Sequence, residues 1–595
     1  MAESPQVDTD GVLRVAVYCD GEEQVDLPLI GITVRLAFNR IPWAELLIKD
    51  GDMPTGEFEL SDRPLFAPGA KVRIAAGFGD ALDDIFSGMV IRHGVKIEGQ
   101  NQARLVVECR DPACKMTLGR RNANFLDQKD SDILSSLVSA HGLSADVADT
   151  GATLAELVQY YCSDWDFLLA RAEFNGLLVN VTPDKLEIQP PKVDGAAALE
   201  LAWGRDLYEF SADIDARLQY TETRATAWDA KQQAIVQGNA AKPAALNQQG
   251  NLRGSVLAKV SSPDTLQLQT ATQQEAATLS TWAKSTQLKA ELARIRGHLR
   301  CMGNAAAKPG ALITVKGVGQ RFEGDVFVSA VEHTLVGGYW YADVEFGLAP
   351  HWHTERDDVS APLAAGLLPG VGGLQIGVVL KLDGDPQEAQ RIQIKLPVMQ
   401  ASSEGIWARL LSPYASNGFG AFFPPEVGDE VIVGYLNDDP CHPVVLGAVY
   451  SAKHQPPYAL DAPNDTKAIV TRAQHRIEFN EKDKIVTITT PAQNRVVLDD
   501  KDKSILIEDQ HANSIKLSSA GIALDSPYDI SLSAKGNIKL QASQGISLSA
   551  QMDVKASGLN INCEAQVGFV GKGSATAELS AAGQTTVKGG LVMIN

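Results

Sequence analysis

Between Ile522 and Leu548 the chain repeats a unit of eight residues in which two apolar side chains flank one small or polar residue. The pairs are Ile522/Leu524, Ile530/Leu532, Ile538/Leu540 and Ile546/Leu548, and the weaker pair Val554/Ala556 keeps the step. Upstream, Ile477/Phe479, Val486/Ile488, Val496/Leu498, Ile505/Ile507 and Ile515/Leu517 carry the same motif at spacings nearer nine or ten. Residues two apart face one side of a strand, and Asn, Asp, Ser, Gly or Lys fill the corners between strands. The repeat therefore predicts a β-solenoid over about 475–595. One short strand and a corner cannot bury themselves, so each unit needs neighbours above and below. A single chain coiled on itself and several chains wound together share this period, and spacing alone does not choose between them. If three chains share the ladder, each strand advances ~4.8 Å and about fifteen strands make a rod on the order of 70 Å.

A chain of 595 residues is too long for one core, and domain sizes suggest roughly three to five units. Its net charge of −20, with no basic stripe, argues against a nucleic-acid partner, because phosphate binding needs clustered Lys and Arg. Met1 to Asp10 is polar and acidic without the pattern of a signal peptide, and no run reaches the ~18 apolar residues that span a bilayer. Synthesis and assembly in the cytoplasm are expected. The seven cysteines are scattered, with no C-x-x-C pair, and read as free thiols rather than a zinc site or a disulfide framework.

Two amino-terminal segments look alike. The first runs from Pro68-Gly-Ala-Lys-Val-Arg-Ile through Gly77 and Gly79 to Phe86-Ser-Gly-Met-Val-Ile-Arg-His93. The second runs from Pro309-Gly-Ala-Leu-Ile-Thr-Val through Gly317 and Gly319 to Phe322-Glu-Gly-Asp-Val-Phe-Val and His333. Two related β-barrels are the simplest explanation. Between them, Ser131 is placed to cap a helix carrying Ile133, Leu134, Leu137 and Val138, and Ser163-Asp-Trp-Asp reads as a capping box for a helix that Gly176 ends. A longer helix is predicted over about 273–292. Between Gly372 and Ala452, five or six short apolar strands suggest a small closed barrel, with a tight turn at Asn437-Asp-Asp-Pro.

The small barrel carries Gly418-Phe-Gly-Ala-Phe-Phe-Pro-Pro-Glu-Val-Gly-Asp-Glu-Val, then Asp438-Asp-Pro, then Pro443-Val-Val-Leu-Gly-Ala-Val-Tyr450. This string resembles the oligonucleotide/oligosaccharide-binding (OB) barrel of VgrG-like spike proteins. Ser163-Asp-Trp-Asp-Phe-Leu-Leu-Ala-Arg-Ala-Glu and the stretch from Lys308-Pro-Gly to Glu332-His333 are similar to the hub of contractile phage baseplates. The resemblance covers nearly the whole chain. It implies a mainly β protein with two hub β-barrels and helical insertions, an OB-fold barrel, and a C-terminal trimeric intertwined β-helix. The expected divisions are a first hub barrel over 1–120, a helical and strand insertion over 121–200, and a second hub barrel over 201–355. A linker over 356–373, the OB barrel over 374–455 and the needle over 456–595 follow. The needle core would contain Ile522, Leu524, Ile530, Leu532, Ile538, Leu540, Ile546 and Leu548.

The function implied is that of a homotrimeric structural spike in a contractile injection system. Two similar barrels in each of three chains would present six quasi-equivalent barrels, adapting a three-fold needle to a six-fold inner tube, and sheath contraction would drive the needle through a target envelope. Ile406-Trp-Ala-Arg and Leu436-Asn-Asp-Asp-Pro look closer to phage-tail-like extracellular or membrane-anchored particles than to the type VI secretion VgrG, which stands as the alternative. The implied partners are inner tube proteins, baseplate proteins, effector cargo and a PAAR-type tip protein received by Leu591, Val592, Met593, Ile594 and Asn595. No catalytic residue, cofactor or metal is expected.

His351-Trp-His353 has the spacing of two metal ligands on one strand face, but lies in a Pro- and Asp-rich stretch. Asp83/Asp84, Asp438/Asp439 and Asp499/Asp500 sit in turn-like contexts, where Asp is favoured for backbone reasons. A tail-associated cell-wall or glycan-degrading enzyme would need an acid and a base carboxyl in one groove. A passive adhesin would need a binding head and a secretion route, and neither is visible.

Overall fold

The computed structural model describes residues 3–5, 11–79, 81–99, 102–244, 246, 249–261, 263–400 and 404–594. It divides into two compact units, 1–449 and 450–595.

In the first unit, six strands build the first half of the hub: β1 (Leu13–Cys19), β2 (Leu29–Ala37), β3 (Trp43–Lys49), β4 (Lys71–Phe78), β5 (Asp83–Glu98) and β6 (Gln102–Arg110). Six more build the second: β7 (Leu199–Ala202), β8 (Leu207–Ile214), β9 (Ile295–Met302), β10 (Leu312–Lys316), β11 (Gly324–Val336) and β12 (Tyr339–Phe346). The first half pairs in the order β1-β4-β5-β6-β3-β2 and the second in the order β7-β10-β11-β12-β9-β8, so each strand has a counterpart six places on. One difference is that β1 runs antiparallel to β4 whereas β7 runs parallel to β10.

The likeness extends to irregularities. A β-bulge interrupts β5–β6 between Val90 and Arg92, and another interrupts β11–β12 between Val328 and Ala330. The outer strands are bulged between Leu29 and Gly31 and between Leu207 and Glu209. The Val90 amide donates to the Ala70 carbonyl at 2.9 Å while its own carbonyl accepts from Gly69. Val328 does the same with Ala311, at 3.0 Å, and Gly310. Bulges and crossed bonds of this kind mark a true structural repeat. Each half encloses its own apolar core, with Leu46 and Val107 in one matched by Leu299 and Val344 in the other. The halves are joined because β11 pairs with β2, making one 13-stranded sheet.

The insertions are helical where the spacing of apolar residues predicted it. Helix α1 (Asp130–Ala140) buries Ile133, Leu134, Leu137 and Val138. Its cap differs from the expectation, since Lys129 takes the N-cap position and the Ser131 amide is satisfied by the Thr150 hydroxyl at 3.1 Å. The first-turn Asp130 instead holds Arg171 through two bonds of 2.7 Å, pinning α1 to α2 (Asp164–Phe174). Ser163 does cap α2, its hydroxyl accepting from the Asp166 amide at 3.0 Å, and Gly176 follows the helix at positive φ. A short helix, α3 (Gly254–Ser261), and a longer one, α4 (Ala276–Leu292), lead into the second half.

Strands β13 (Gln375–Lys381), β14 (Arg391–Lys395), β15 (Ile406–Leu410), β16 (Glu430–Tyr435) and β17 (Pro443–Ala448) close a barrel in the order β13-β14-β15-β17-β16. Val379, Ile392, Ile394, Ala408, Val431, Val433 and Val445 fill it. Asn437 and Asp438 turn the chain at positive φ between β16 and β17. Of the Gly420-Ala-Phe-Phe segment only Gly420 lies in a strand: Phe419–Gly420 pairs with Ala415–Ser416 in a small hairpin outside the barrel.

The second unit is a seven-stranded antiparallel meander: β18 (Thr466–Val470), β19 (Arg476–Asn480), β20 (Ile485–Thr489), β21 (Arg495–Asp499), β22 (Ser504–Glu508), β23 (Ser514–Ser518) and β24 (Gly521–Asp525). Over these residues the structure differs from a strand-and-corner coil. The wider spacing leaves room for hairpin connections, and Gln474, Lys484, Gln493, Lys503 and Ala512 each supply the positive φ that reverses the chain. Among the described residues 526–594 no strand pairs within the chain.

Candidate functional site: the assembly surfaces

The seam between the hub halves sets β2 against β11 with Ala37 opposite Ala330, Arg35 opposite Glu332, Val34 opposite His333 and Ile32 opposite Leu335. Its inner face is closed and, apart from His333, apolar. On its outer face Arg35 reaches Glu345 at 2.7 Å and Glu332 at 3.7 Å. His333 lies beneath the seam, where burial lowers its pKa to about 4 and so keeps it neutral. Elsewhere in the first half, burial pushes the Asp111 carboxyl up to about 6 and the Cys19 and Cys109 thiols up to about 12. Those thiols pack as apolar groups.

The repeat leaves two sheet edges without a strand beside them, among the described residues. From Ile91 onward β5 has only β6 next to it, and β8 pairs only with β9 among the long strands. Val95 and Ile97 on the first edge are 46% and 69% exposed. Sequence reading missed this edge, because β5 alternates like any half-buried strand. Its signal is positional, in that the matching residues of β11 are covered.

A cleft of about 680 Å³ lies between the first half and the helical insertion, lined by Arg35, Arg40, Arg120, Arg356, Asp166 and Asp358 among others. Its carboxylates are engaged. Asp166 meets His353 Nε2 at 2.9 Å, and Asp358 pairs with Arg356 at 2.8 Å. His351 pairs separately with Glu355 at 3.2 Å, and His353 opens a 3-10 turn rather than lying on a strand. The two imidazoles thus serve different carboxylates. Asp83 and Asp84, expected in a turn, open strand β5, where Asp84 accepts from Arg73 at 2.6 Å. Asp438 and Asp439 stand at the β16–β17 turn, and Asp499 and Asp500 at a hairpin end.

In the small barrel, Asp385 accepts from the amides of Gln387, Ala389 and Arg391 and from the Arg391 guanidinium at 2.6 Å. The Arg391 bond comes first among the causes that hold this carboxylate well below its ordinary range. Around the outer hairpin Tyr414, Phe419, Phe422 and Phe423 are all exposed.

In the meander every apolar pair from the repeat faces the next across the ladder. Phe479, Val486, Leu498, Ile505, Leu517 and Ile522 form one column, and Ile477, Ile488, Val496, Ile507, Ile515 and Leu524 a second. Many of these side chains are exposed in a single chain, among them Phe479, Ile488, Leu498 and Ile507. Ile530, Leu532, Ile538, Leu540, Ile546 and Leu548 are exposed as well, and so are Leu591, Val592, Met593 and Ile594. Asn595 lies outside the described residues. The two columns of the meander make a continuous apolar face, and a face of this extent marks an association surface.

Residues 9–337 match the Alg8 N-terminal domain, residues 375–450 the type VI secretion system/phage-baseplate injector OB domain, and residues 485–544 the phage baseplate V C-terminal trimerisation domain. The chain is 31% identical over 148 residues to the actin cross-linking toxin VgrG1 of Vibrio cholerae serotype O1, covering 23% of this chain and 13% of the toxin. It is 28% identical over 192 residues to the type VI secretion system spike protein VgrG1b of Pseudomonas aeruginosa, covering 30% of this chain and 25% of that protein. The matches span a quarter or less of these relatives' own lengths. Among solved structures, the E. coli c3393 protein, a component of the type VI secretion system, aligns at 12% identity with a TM-score of 0.37, covering 73% of this chain and 99% of that one. With more than half its length matched by one family and its barrel and carboxyl segment by two more, the chain belongs to the Alg8 N-terminal domain family and is similar to VgrG spike and phage-baseplate proteins.

Proposed function

We propose that three copies form a rigid spike that seats on the inner tube of a phage-tail-like contractile injection system and pierces a target envelope when the sheath contracts. The carrying observation is the pair of apolar columns left uncovered in the meander, in a segment that matches a trimerisation domain. Three such faces packed together would bury what one chain exposes, at about 25 cal/mol per Å² of apolar surface. The eight-residue units after Asp525, unpaired within one chain, would then find their ladders in the other two, with Ile522, Leu524, Ile530, Leu532, Ile538, Leu540, Ile546 and Leu548 inside the needle.

The duplicated hub supports the role of symmetry adapter between the needle and a six-fold tube, with baseplate proteins around it. The exposed Leu591-Val-Met-Ile end supports docking of a PAAR-type tip protein, on which effector cargo could travel. The action is mechanical, and the spike itself needs no catalytic group. The VgrG relatives favour, as a second reading, a type VI spike. A membrane complex encoded beside this chain would select it.

Electron microscopy of the purified full-length protein tests the main reading. A three-fold hub with one thin projection is the expected image. A monomer would overturn it.

A further inference from the structure

The hub repeat carries one seam inside the chain and the two halves of another left apart. Matching the halves strand for strand, with the bulges as fixed points, sets Arg92 at the position of Ala330, Val95 at that of His333 and Ile97 at that of Leu335. It also sets Phe210 at the position of Ile32, Ala212 at that of Val34 and Asp213 at that of Arg35. The open edge of β5 is therefore the counterpart of the strand edge that β11 gives to β2. The open edge of β8 is the counterpart of the edge that β2 gives to β11.

Burial supports the match. His333 and Leu335 are 1% and 4% exposed because β2 covers them, whereas Val95 and Ile97 stand open. From these correspondences the geometry points to a second seam, in which β5 of one protomer pairs antiparallel with β8 of the next in the register of the internal one. The inference rests on the trimer reading above and goes further by naming the strands, the residues and their alignment. Transposing the internal register places His93 opposite Ile214, Val95 opposite Ala212 and Ile97 opposite Phe210. These six share one face, and that face is apolar apart from His93.

The other face then carries Arg92 opposite Asp215 and Lys96 opposite Ser211, with Asp213 and Glu209 on the diagonals. A basic edge meets an acidic one, as Arg35 meets Glu332 within the chain. Glu98 falls opposite Glu209 at the seam's end. This pair is like-charged, but Glu98 already has Lys96 at 2.6 Å and Arg104 at 3.1 Å. Because each half offers one edge of each kind, the contact is head-to-tail and closes by rotation into a ring with no free edge.

Directly opposed residues of an antiparallel pair lie about 4.5–5.5 Å apart at Cα, within disulfide range. The test is full-length protein with Val95→Cys and Ala212→Cys, in a background with the exposed Cys441 and Cys563 changed to Ser. Mild oxidation should produce covalent dimers and trimers on a non-reducing gel. Neither single cysteine should do so, nor should Val95→Cys with Asp213→Cys, which places the thiols on opposite faces. Cross-linking of the offset pair instead of the aligned one would overturn the register. A trimer by native mass that does not cross-link would overturn the seam and leave the trimer standing, whereas a monomer overturns both. Amide hydrogen exchange on the unmodified protein guards against a variant that fails to fold. Residues 91–98 and 208–214 should exchange as slowly in the trimer as 330–336 and 31–37, and rapid exchange there would sink the proposal.

Discussion

The indole N–H of Trp340 donates to Nδ1 of His333 at 3.3 Å, which fixes the buried imidazole as an acceptor on that side. A neutral ring is what this arrangement requires, and burial lowers the pKa to about 4 from an ordinary value near 6.5. The unfolded chain therefore takes up this proton first as pH falls. The stability tied to His333 is complete above pH ~6.5 and is lost as pH drops towards 4, with a slope of up to about 1.4 kcal/mol per pH unit. Asp111 works in the opposite sense, because its raised pKa of about 6 makes the folded state the better proton acceptor as pH falls from about 6 to 4. Denaturant melts of the wild type and of His333→Phe across pH 4–7 separate the two contributions. The wild type should lose stability relative to His333→Phe on acidification, and parallel curves would show that His333 is not the group concerned.

Ser163 caps the helix that holds Trp165, Leu168 and Leu169 in the core of the insertion. Ser163→Ala leaves the Asp166 amide without its partner and should cost about 1 kcal/mol of stability in a urea melt. Ser163→Asp should recover most of that loss.

Leu46 and Leu299 occupy corresponding positions in the two halves, and both are fully buried. Truncating either to Ala should cost about 2–5 kcal/mol, the range for large-to-small changes in a packed core. Similar losses at the two sites are expected from the repeat. A near-zero loss at one would show that its half does not pack as described.

Ile507 sits in an apolar column between Val496 and Ile515 and is exposed in one chain. Ile507→Asp should leave far-UV circular dichroism unchanged while lowering the sedimenting mass from trimer towards monomer. An unaltered trimer would remove the column from the interface.

Asp385 closes the loop between β13 and β14 with three backbone amides and Arg391. Its folded pKa lies below the unfolded one, so its contribution is present above about pH 4 and lost on further acidification. Asp385→Ala should lower the melting temperature of the barrel at neutral pH, and the gap to wild type should narrow in acid.

Much of this architecture is legible in the sequence, because period and punctuation survive without tertiary context. The pairs from Ile477/Phe479 to Ile546/Leu548 mark the strands, and Asn437-Asp438 marks a turn. The Ser163 cap is visible from its spacing to Asp166. What escapes is whatever depends on distant partners. Ser131 looks like a cap, yet Thr150, far along the chain, takes its amide. The nine- and ten-residue spacings suit a coil corner or a hairpin equally, and the positive φ at Gln474 and Lys484 decides for the hairpin. The likeness of the halves is faintly readable around Gly69 and Gly310. That Val95 matches His333 emerges only from the register and its bulges.

The hairpins of the meander also constrain how such a chain can change length. Removing one strand would reverse the direction of everything after it and break the columns, whereas removing two neighbouring strands with their connections restores both direction and facing. From Ile477 to Val496 is one such interchangeable cassette, and Val496 to Ile515 is the next. Insertions and deletions in this region should therefore be tolerated in whole pairs of strands, which would change its length in discrete steps.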